Sequence, residues 1–320
     1  MKKLKISGHV ILPGERRLIH LKAAKLYDAT DLEIPVHVIR GEKDGPCMFI
    51  CAGIHGDEIN GIEIIRKLLE HAAMNEVRGT LIIIPVVNIF GYNYKSRYLP
   101  DRRDLNRSFP GSHEGSLASR IAHTFLKEIV SKCTHGIDLH TGSIHRYNLP
   151  QIRAKIRDDQ TKNFAKSFGV KVVLNSEERD GSLREVASKK KVKIVVFEGG
   201  EALRFDEEIT QAGLNGCLRA MTTIGILPKG LINLLPERAH IFAKSAWVRS
   251  SASGTTIFNV QLGDRVKKGQ LLCRIYDING IEMGRILSEY TGLIVGINRL
   301  PLVTQGEALV HIAMDKVSRA

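Results

Sequence analysis

The sequence predicts an α/β protein with a mostly parallel, doubly wound sheet, followed by a smaller all-β domain. Short apolar stretches of strand length alternate with longer stretches whose apolar residues recur at helical spacing. The run 81–88 is almost entirely apolar, as expected of a strand that helices cover on both faces. After about residue 240, short β-runs separated by glycines replace the helical stretches, and this change predicts the second domain.

The predicted elements of the first domain follow in chain order. Residues 32–39 alternate between apolar and polar and, with the turn at 41–45, predict a hairpin that leads into a strand at 48–53. A helix follows from Ile59, and the strand at 81–88 feeds a long polar loop, of a length that is usually functional or disordered. The other predicted helices lie at 116–130, 158–168, 182–191 and 206–225, and the other strands at 136–142, 151–156, 171–175 and 193–198.

The composition is that of an ordinary globular protein, with 320 residues of which 43% are hydrophobic and 25% charged. No stretch is long and apolar enough to span a membrane, and the basic start lacks the apolar core of an export signal. We therefore expect a cytoplasmic protein without membrane partners. Five cysteines without a Cys-x-x-Cys pair predict reduced thiols.

The net charge of +13 leaves three explanations open: a nucleic-acid surface, attraction of an anionic small substrate, or solubility alone. Lysines and arginines are spread along the whole chain, and the 6% of aromatic residues show no pattern for stacking on single-stranded nucleic acid. We therefore expect no nucleic-acid partner. Whether the protein forms a homo-oligomer stays open.

Two polar residues open the helix that follows the strand at 48–53. His55 and Glu58 can both reach one point above the end of that strand, where open α/β sheets place their chemistry. His140 lies at the end of a later strand, and Asp138 lies on the same face two residues earlier, where it can orient a ligand. The pattern predicts the two-histidine, one-glutamate ligand set of a catalytic zinc site. A solvated turn and a structural histidine remain the alternatives.

The long loop and a later strand add residues suited to catalysis. Arginines such as Arg97 bind carboxylates in a bidentate manner and stabilise an oxyanion that develops beside a metal. For at least one of Arg102 and Arg103, a solvated loop is the alternative. Glu198 ends an apolar strand, where a carboxylate suits a general base for water; a capping or solvent-facing carboxylate is its alternative.

Four segments together resemble the succinylglutamate desuccinylase/aspartoacylase family, a branch of the zinc carboxypeptidase superfamily. They are Gly53-Ile-His-Gly-Asp-Glu58, Asp104-Leu-Asn-Arg-Ser-Phe-Pro-Gly111, Ile137-Asp-Leu-His-Thr-Gly142 and Glu198-Gly-Gly200, in the family's order. Each motif alone is modest, but jointly they are specific, and the resemblance runs over roughly residues 1–315. It implies an α/β fold of the zinc-carboxypeptidase type.

The resemblance also implies a zinc-dependent amidohydrolase, with one Zn²⁺ per chain, that removes an acyl group from an N-acyl amino acid or a similar small compound. In the family, the arginine that stabilises the oxyanion lies upstream of the Asp-Leu-Asn-Arg motif at a variable spacing. Arg97 is therefore the first choice for this role and Arg102, otherwise counted as substrate-binding, the second. The other implied roles are zinc ligand for His55, Glu58 and His140, general base for Glu198, and ligand of a substrate carboxylate for Asn106 and Arg107.

Residues 252–272 look like the β-sandwich of biotinyl or lipoyl carrier domains. The lysine that carriers modify is missing, because the hairpin has Asp277-Ile-Asn-Gly-Ile-Glu-Met283 instead. We therefore expect a catalytic domain at 1–239 and a β-sandwich at 240–320 that caps the site. A metallocarboxypeptidase acting on peptides, which needs an open groove, stays an alternative, as does a catalytically idle binding protein of the same fold.

Overall fold

The structure, a computed structural model, describes residues 3–25, 28–156 and 158–315, so residues 316–320 of the predicted second domain lie outside it. The described residues form six α-helices and nineteen strands. The helices are α1 (Asn60–Glu70), α2 (Ile89–Asn93), α3 (Leu117–Glu128), α4 (Asp159–Ser167), α5 (Leu183–Lys189) and α6 (Glu207–Ile224). Short 3-10 helices lie at Ala72–Glu76, Leu105–Arg107 and Val130–Lys132.

The strands fall into two groups along the chain. Those before residue 239 are β1 (Leu4–Ile6), β2 (His9–Ile11), β3 (Arg16–Lys25), β4 (Asp31–Arg40), β5 (Cys47–Ala52), β6 (Thr80–Ile84), β7 (His135–Gly142), β8 (Arg146–Ala154), β9 (Val172–Asn175) and β10 (Lys193–Glu201). Those after it are β11 (His240–Phe242), β12 (Lys244–Arg249), β13 (Gly254–Phe258), β14 (Arg265–Val266), β15 (Leu271–Tyr276), β16 (Glu282–Leu287), β17 (Gly292–Asn298), β18 (Leu302–Val303) and β19 (Ala308–Met314).

A sheet of 13 strands forms the centre of the molecule, with the main order β12-β19-β17-β8-β10-β7-β5-β6-β4-β3. The inner strands β6, β5, β7 and β10 run parallel, as do β8, β9 and β11, whereas β8 is antiparallel to β10 and β4 is antiparallel to β3 and β6. The predicted α/β class with a mostly parallel sheet is confirmed.

The predicted hairpin between the strand at 32–39 and the strand at 48–53 is wrong. The first of these strands, β4, pairs with β3 and β6, while β5 lies between β6 and β7. Strand β5 is buried on both faces from Met48 to Ala52. A strand with two apolar faces belongs at the centre of a covered sheet, so β6 takes the position beside β4.

Helices cover both faces of this sheet, and β5 shows the pattern residue by residue. Met48, Ile50 and Ala52 pack into one core with residues of α1, α4 and α6. Phe49 and Cys51 pack into the opposite core with residues of α3 and α5. Because successive side chains of a strand point to opposite faces, both cores share the same strand.

The helices predicted at 116–130, 158–168, 182–191 and 206–225 are confirmed as α3 to α6, with ends that differ by a few residues. The predicted loop after β6 is not wholly irregular, because α2 lies within it. The side chain of Asn88 caps that short helix by accepting a hydrogen bond from the Gly91 amide at 2.8 Å.

No α-helix forms in the described residues from 240 to 315, as predicted. Strands β16, β15, β13 and β18 form a separate antiparallel sheet, and apolar residues between Val248 and Ile312 form a core of their own. Strands β12, β19 and β17 instead extend the central sheet beyond β8, and β11 pairs with β9. Strand pairing therefore crosses the proposed boundary at 239, and that boundary stays a prediction.

None of the helices in the described ranges combines the length and the apolar composition that a membrane span requires.

Candidate active site

The predicted site residues meet where the parallel strands β5, β7 and β10 end. His55 and Glu58 follow β5, His140 lies near the end of β7, and Glu198 lies on β10 directly beside His140 in the parallel register. The carboxyl ends of parallel strands share one edge of a sheet, so three segments far apart in sequence reach one cavity.

A tight turn between β5 and α1 holds the first two side chains. The Glu58 amide donates to the His55 carbonyl at 3.2 Å, and both side chains are buried. Gly56 lies between them against the backbone of α2, where an added Cβ atom would lie 1.9 Å from the carbonyl carbon of Gly91. Only glycine fits this contact, which explains its place in the His-Gly-Asp-Glu turn.

The Glu58 carboxylate lies between two imidazole rings. Its Oε1 is 2.8 Å from His55 Nδ1, and its Oε2 is 2.7 Å from His140 Nδ1. The Thr141 amide also donates to Oε2 at 3.1 Å. One donor atom from each of the three side chains lies within 4.8 Å of the others, as a shared metal ion requires.

Each histidine turns its second nitrogen to another carboxylate. His140 Nε2 contacts Asp138 Oδ2 at 2.8 Å, and His55 Nε2 contacts Asp104 Oδ1 at 3.2 Å. Asp138 thus contacts His140 as its place on the strand predicts, and its orienting role stays a prediction. A carboxylate that accepts a hydrogen bond from Nε2–H fixes the tautomer in which Nδ1 carries the free lone pair for a metal. It also makes the imidazole a stronger metal ligand.

The pKa shifts in this cluster follow from burial opposed by close opposite charges. Burial acts to raise the pKa of Glu58, but the two histidines outweigh it and hold that pKa far below its usual range. Burial acts to lower the pKa of His140, but Asp138 and Glu58 outweigh it and raise the pKa well above its usual value. The same balance, with Glu58 and Asp104 as partners, raises the pKa of His55.

This donor set fits zinc. Two imidazole nitrogens and one carboxylate oxygen form a common three-residue set of catalytic zinc sites, which leave a coordination position open. All three groups are buried, their donor atoms converge, and the remote nitrogens of the histidines are already engaged with carboxylates. Such preorganisation is typical of a metal centre.

Of the two candidate arginines, only Arg97 reaches the cluster. Its Nη1 lies 3.3 Å from Glu58 Oε1, and its Nη2 donates to Asp104 Oδ2 at 2.9 Å. Arg102 lies on an exposed turn with φ of 59° and does not line the cavity. Its place on the surface of the loop removes it from our candidates for either role and agrees with the solvated-loop alternative.

Asn106 and Arg107 both line the cavity. The side-chain oxygen of Asn106 accepts from the Leu183 amide at 2.9 Å, so this oxygen already ties the loop to the start of α5. The amide nitrogen of the same side chain has no acceptor among the described residues and is the group that Asn106 can offer a ligand. Arg107 is exposed at the cavity mouth.

The carboxylate of Glu198 forms a hydrogen bond with one side chain of β8 and an ion pair with another. Asn148 Nδ2 donates to Oε2 at 3.1 Å, and Arg153 Nε lies 3.0 Å from the same oxygen. Glu198 faces Gln151 in the antiparallel register, so Arg153 is its diagonal neighbour on the same face.

The cavity has a volume of about 190 Å³ and a strongly cationic wall. Trp247 of β12 brings the C-terminal β-strands to this wall, where its indole stacks on His311 with 4.8 Å between ring centroids. Three carboxylates line the cavity, those of Glu58, Asp138 and Glu198. Six guanidinium groups also line it, those of Arg97, Arg107, Arg146, Arg153, Arg179 and Arg184.

Several residues of this site have no role in the sequence analysis, among them Asp104, Arg153 and Trp247. Asp104 opens the Asp-Leu-Asn-Arg motif, and its position in that motif was the available signal. Arg153 lies two residues from the position opposite Glu198, but no local pattern predicts that β8 pairs with β10. Trp247 is the only tryptophan in the chain, and it reaches the cavity through pairing of strands distant in sequence.

Comparisons with known proteins show the family of this chain. The sequence model of the succinylglutamate desuccinylase/aspartoacylase catalytic domain matches residues 44–224, more than half of the chain. The N-alpha-acetyl-L-2,4-diaminobutyric acid deacetylase of Halomonas elongata is 30% identical over 298 residues, which cover 88% of this chain and 85% of that protein.

Solved structures share the fold over nearly the whole length. The product-bound ectoine utilization protein EutE (DoeB) of Ruegeria pomeroyi superposes with a TM-score of 0.83 at 25% identity, over 95% of this chain and 97% of that one. A succinylglutamate desuccinylase/aspartoacylase of Rhodobacter sphaeroides has a TM-score of 0.82 at 22% identity, over 94% and 95%, and shows the fold alone. The chain belongs to the succinylglutamate desuccinylase/aspartoacylase family.

Proposed function

We propose that this protein is a zinc-dependent deacylase that hydrolyses the amide bond of a small N-acyl amino acid. The observation that carries the proposal is the buried His55, Glu58 and His140 cluster, whose donor atoms converge while both Nε2 atoms engage carboxylates. Membership of a deacylase family and the relationship to a deacetylase of an N-acetyl amino acid support the same reaction class.

A zinc ion held by these three residues supplies a Lewis acid that polarises the substrate carbonyl and increases the acidity of water. Glu198 acts as the general base: it takes a proton from the attacking water and gives it to the leaving nitrogen. A C–O bond forms at the carbonyl carbon as the C–N bond breaks, so the products are a carboxylic acid and an amine. Glu198 ends the cycle in its starting state.

Arginines stabilise the charge that develops in the reaction and bind the substrate carboxylate. Arg97 is the donor for the oxygen that gains negative charge, because its guanidinium lies against the ligand cluster. Arg107, together with the free amide nitrogen of Asn106, binds the carboxylate of the amino acid. Trp247 narrows the same cavity, which favours a small acylated compound over a peptide in an open groove and counts against a metallocarboxypeptidase.

Elemental analysis and a substrate panel test this function. We expect about one zinc per chain and release of free amine from at least one N-acyl amino acid. Glu198→Gln should keep zinc and lower kcat by about 10²-fold, because the amide cannot accept the proton. His140→Ala should lose both zinc and activity.

Two results would count against the proposal. Full zinc occupancy in His140→Ala would remove His140 from the ligand set. A wild-type protein that carries zinc but releases no amine from any N-acyl amino acid would instead favour the catalytically idle binding protein.

A further inference from the structure

We propose that Arg153 changes partners during turnover, from Glu198 in the free enzyme to a carboxylate of the substrate other than the one bound by Arg107. Arg153 is thus a positioning residue that restrains the general base until an anionic substrate arrives. The inference rests on the proposed function and adds a substrate-dependent control of that site.

The first support is the way in which the pair is made. Glu198 forms an ion pair with Arg153 through Nε, at a distance of 3.0 Å but without hydrogen-bond geometry, and among the described residues it is the ion-pair partner of this arginine. In the described part of the chain, Nη1 and Nη2 make no hydrogen bond or ion pair, although Arg153 lines the cavity. The two terminal nitrogens therefore remain for a ligand, and a carboxylate is the group that a guanidinium binds best in a bidentate manner.

The second support is that Glu198 has another partner. Asn148 donates to the same carboxylate at 3.1 Å, so the base keeps its orientation when the arginine leaves. Asn148 is buried, whereas the side chains of Arg153 and Glu198 are 20% and 19% exposed. Both partners line the cavity, but the more buried one is the neutral amide and the more exposed one is the charged guanidinium.

The third support is the charge around Arg153. Arg146, Arg179 and Arg184 line the same cavity, and Nη1 of the buried Arg184 has no hydrogen-bond partner in the described residues. Like charges disfavour packing a guanidinium against this wall without an anion, and a cationic cavity concentrates anionic ligands. A carboxylate of the substrate meets both conditions, whereas a cationic side chain meets neither.

Three substrates separate the sources of this carboxylate. N-acetylalanine carries only the carboxylate for Arg107, N-acetylglutamate adds one on the amino acid, and N-succinylalanine adds one on the acyl group. In Arg153→Met, we expect KM to rise about tenfold or more for one of the two dianionic substrates. A change of this size corresponds to the loss of a charge-assisted hydrogen bond. For N-acetylalanine, kcat should stay equal or increase, because Glu198 is no longer restrained.

Controls distinguish this role from a structural one. Arg153→Lys keeps the charge without the planar fork and should recover part of the selectivity. Arg285→Met removes an arginine from β16 in the separate four-stranded sheet, and this residue does not line the cavity. It should change none of the three reactions. Equal losses on all three substrates in Arg153→Met, or no change on any, would overturn the proposal.

Calorimetry makes the test independent of turnover. Wild-type protein should bind succinate more tightly than butyrate, or glutamate more tightly than glutamine, by at least about tenfold; Arg153→Met should lose this difference while Arg285→Met keeps it. If wild type releases no amine from any substrate, the proposed function fails, and the binding comparison alone decides the role of Arg153. Equal affinities of wild type and Arg153→Met for both succinate and glutamate would overturn that role.

Discussion

The carboxylates that orient the two histidines should differ in their importance for zinc binding. Asp138 is 1% exposed and contacts His140 Nε2 at 2.8 Å. Asp104 contacts His55 Nε2 at 3.2 Å, its side chain is 15% exposed, and it shares its charge with Arg97. The other partner of Asp138 is the neutral Cys51 thiol at 3.5 Å, whereas that of Asp104 is a guanidinium. The shorter and drier hydrogen bond contributes more, so Asp138→Asn should weaken zinc binding more than Asp104→Asn.

The structure sets the size of each effect. Loss of an orienting carboxylate typically lowers metal affinity 10- to 100-fold, or about 1.4 to 2.7 kcal/mol. For Asp138→Asn we expect the upper half of this range, because the neutral amide leaves the imidazole without its charged partner in a dry environment. For Asp104→Asn we expect about tenfold or less, because water reaches the group and Arg97 already draws on its charge.

Competition with a chromophoric chelator at fixed pH measures both affinities, and circular dichroism confirms that each variant is folded. The reasoning is wrong if Asp104→Asn proves the more damaging change. It is also wrong if Asp138→Asn binds zinc within about twofold of wild type, a difference too small for the loss of a charge-assisted hydrogen bond.

Three further predictions concern other parts of the molecule. Arg107→Ala should raise KM for substrates with a carboxylate and leave kcat nearly unchanged, because a clamp distant from the scissile bond contributes uniform binding; equal loss on an uncharged amide would contradict it. Trp247→Ala should raise the kcat/KM for substrates with a bulky acyl group relative to the kcat/KM for N-acetyl substrates, and Trp247→Phe is the control. If the ratio of these two values does not change, Trp247 does not determine acyl-group size. Burial, and then Arg153 and Arg179, lower the pKa of His311 to about 3. The unfolded chain therefore binds a proton that the folded chain excludes below pH 6.5, so wild type should lose about 1 kcal/mol more stability than His311→Gln between pH 7 and pH 5.5 in urea unfolding; parallel losses would refute this.

Local patterns predict most of the elements of this protein and the residues that meet in the candidate site. His55, Glu58 and His140 each lie directly after or near the end of an apolar strand, and parallel strands bring such positions to one edge whatever their separation in sequence. Asp138 was predictable for a similar reason, since residues two apart on a strand share a face.

The strand order and the other site residues depend on which strands pair with each other. No local sequence pattern contains this information. The residues at 32–39 carry the alternation of a strand, but only the burial of β5 on both faces explains why β6 and not β5 lies beside it. Arg153 and Trp247 reach the cavity through pairings of β8 with β10 and with β17. Contacts between segments so distant in sequence are set by packing of the whole chain.

Strand β8 has a consequence for how this protein reaches its folded state. One side of β8 pairs with β10, which carries Glu198, and the other side pairs with β9 along 151–154 and with β17 along 146–148, more than a hundred residues later in the chain. During synthesis, the part of this edge at 146–148 stays unpaired until β17 has emerged, and an open strand edge is where chains aggregate. A chain cut near Pro236 would keep that edge permanently. The last quarter of the sequence therefore protects this edge of the central sheet against aggregation during folding.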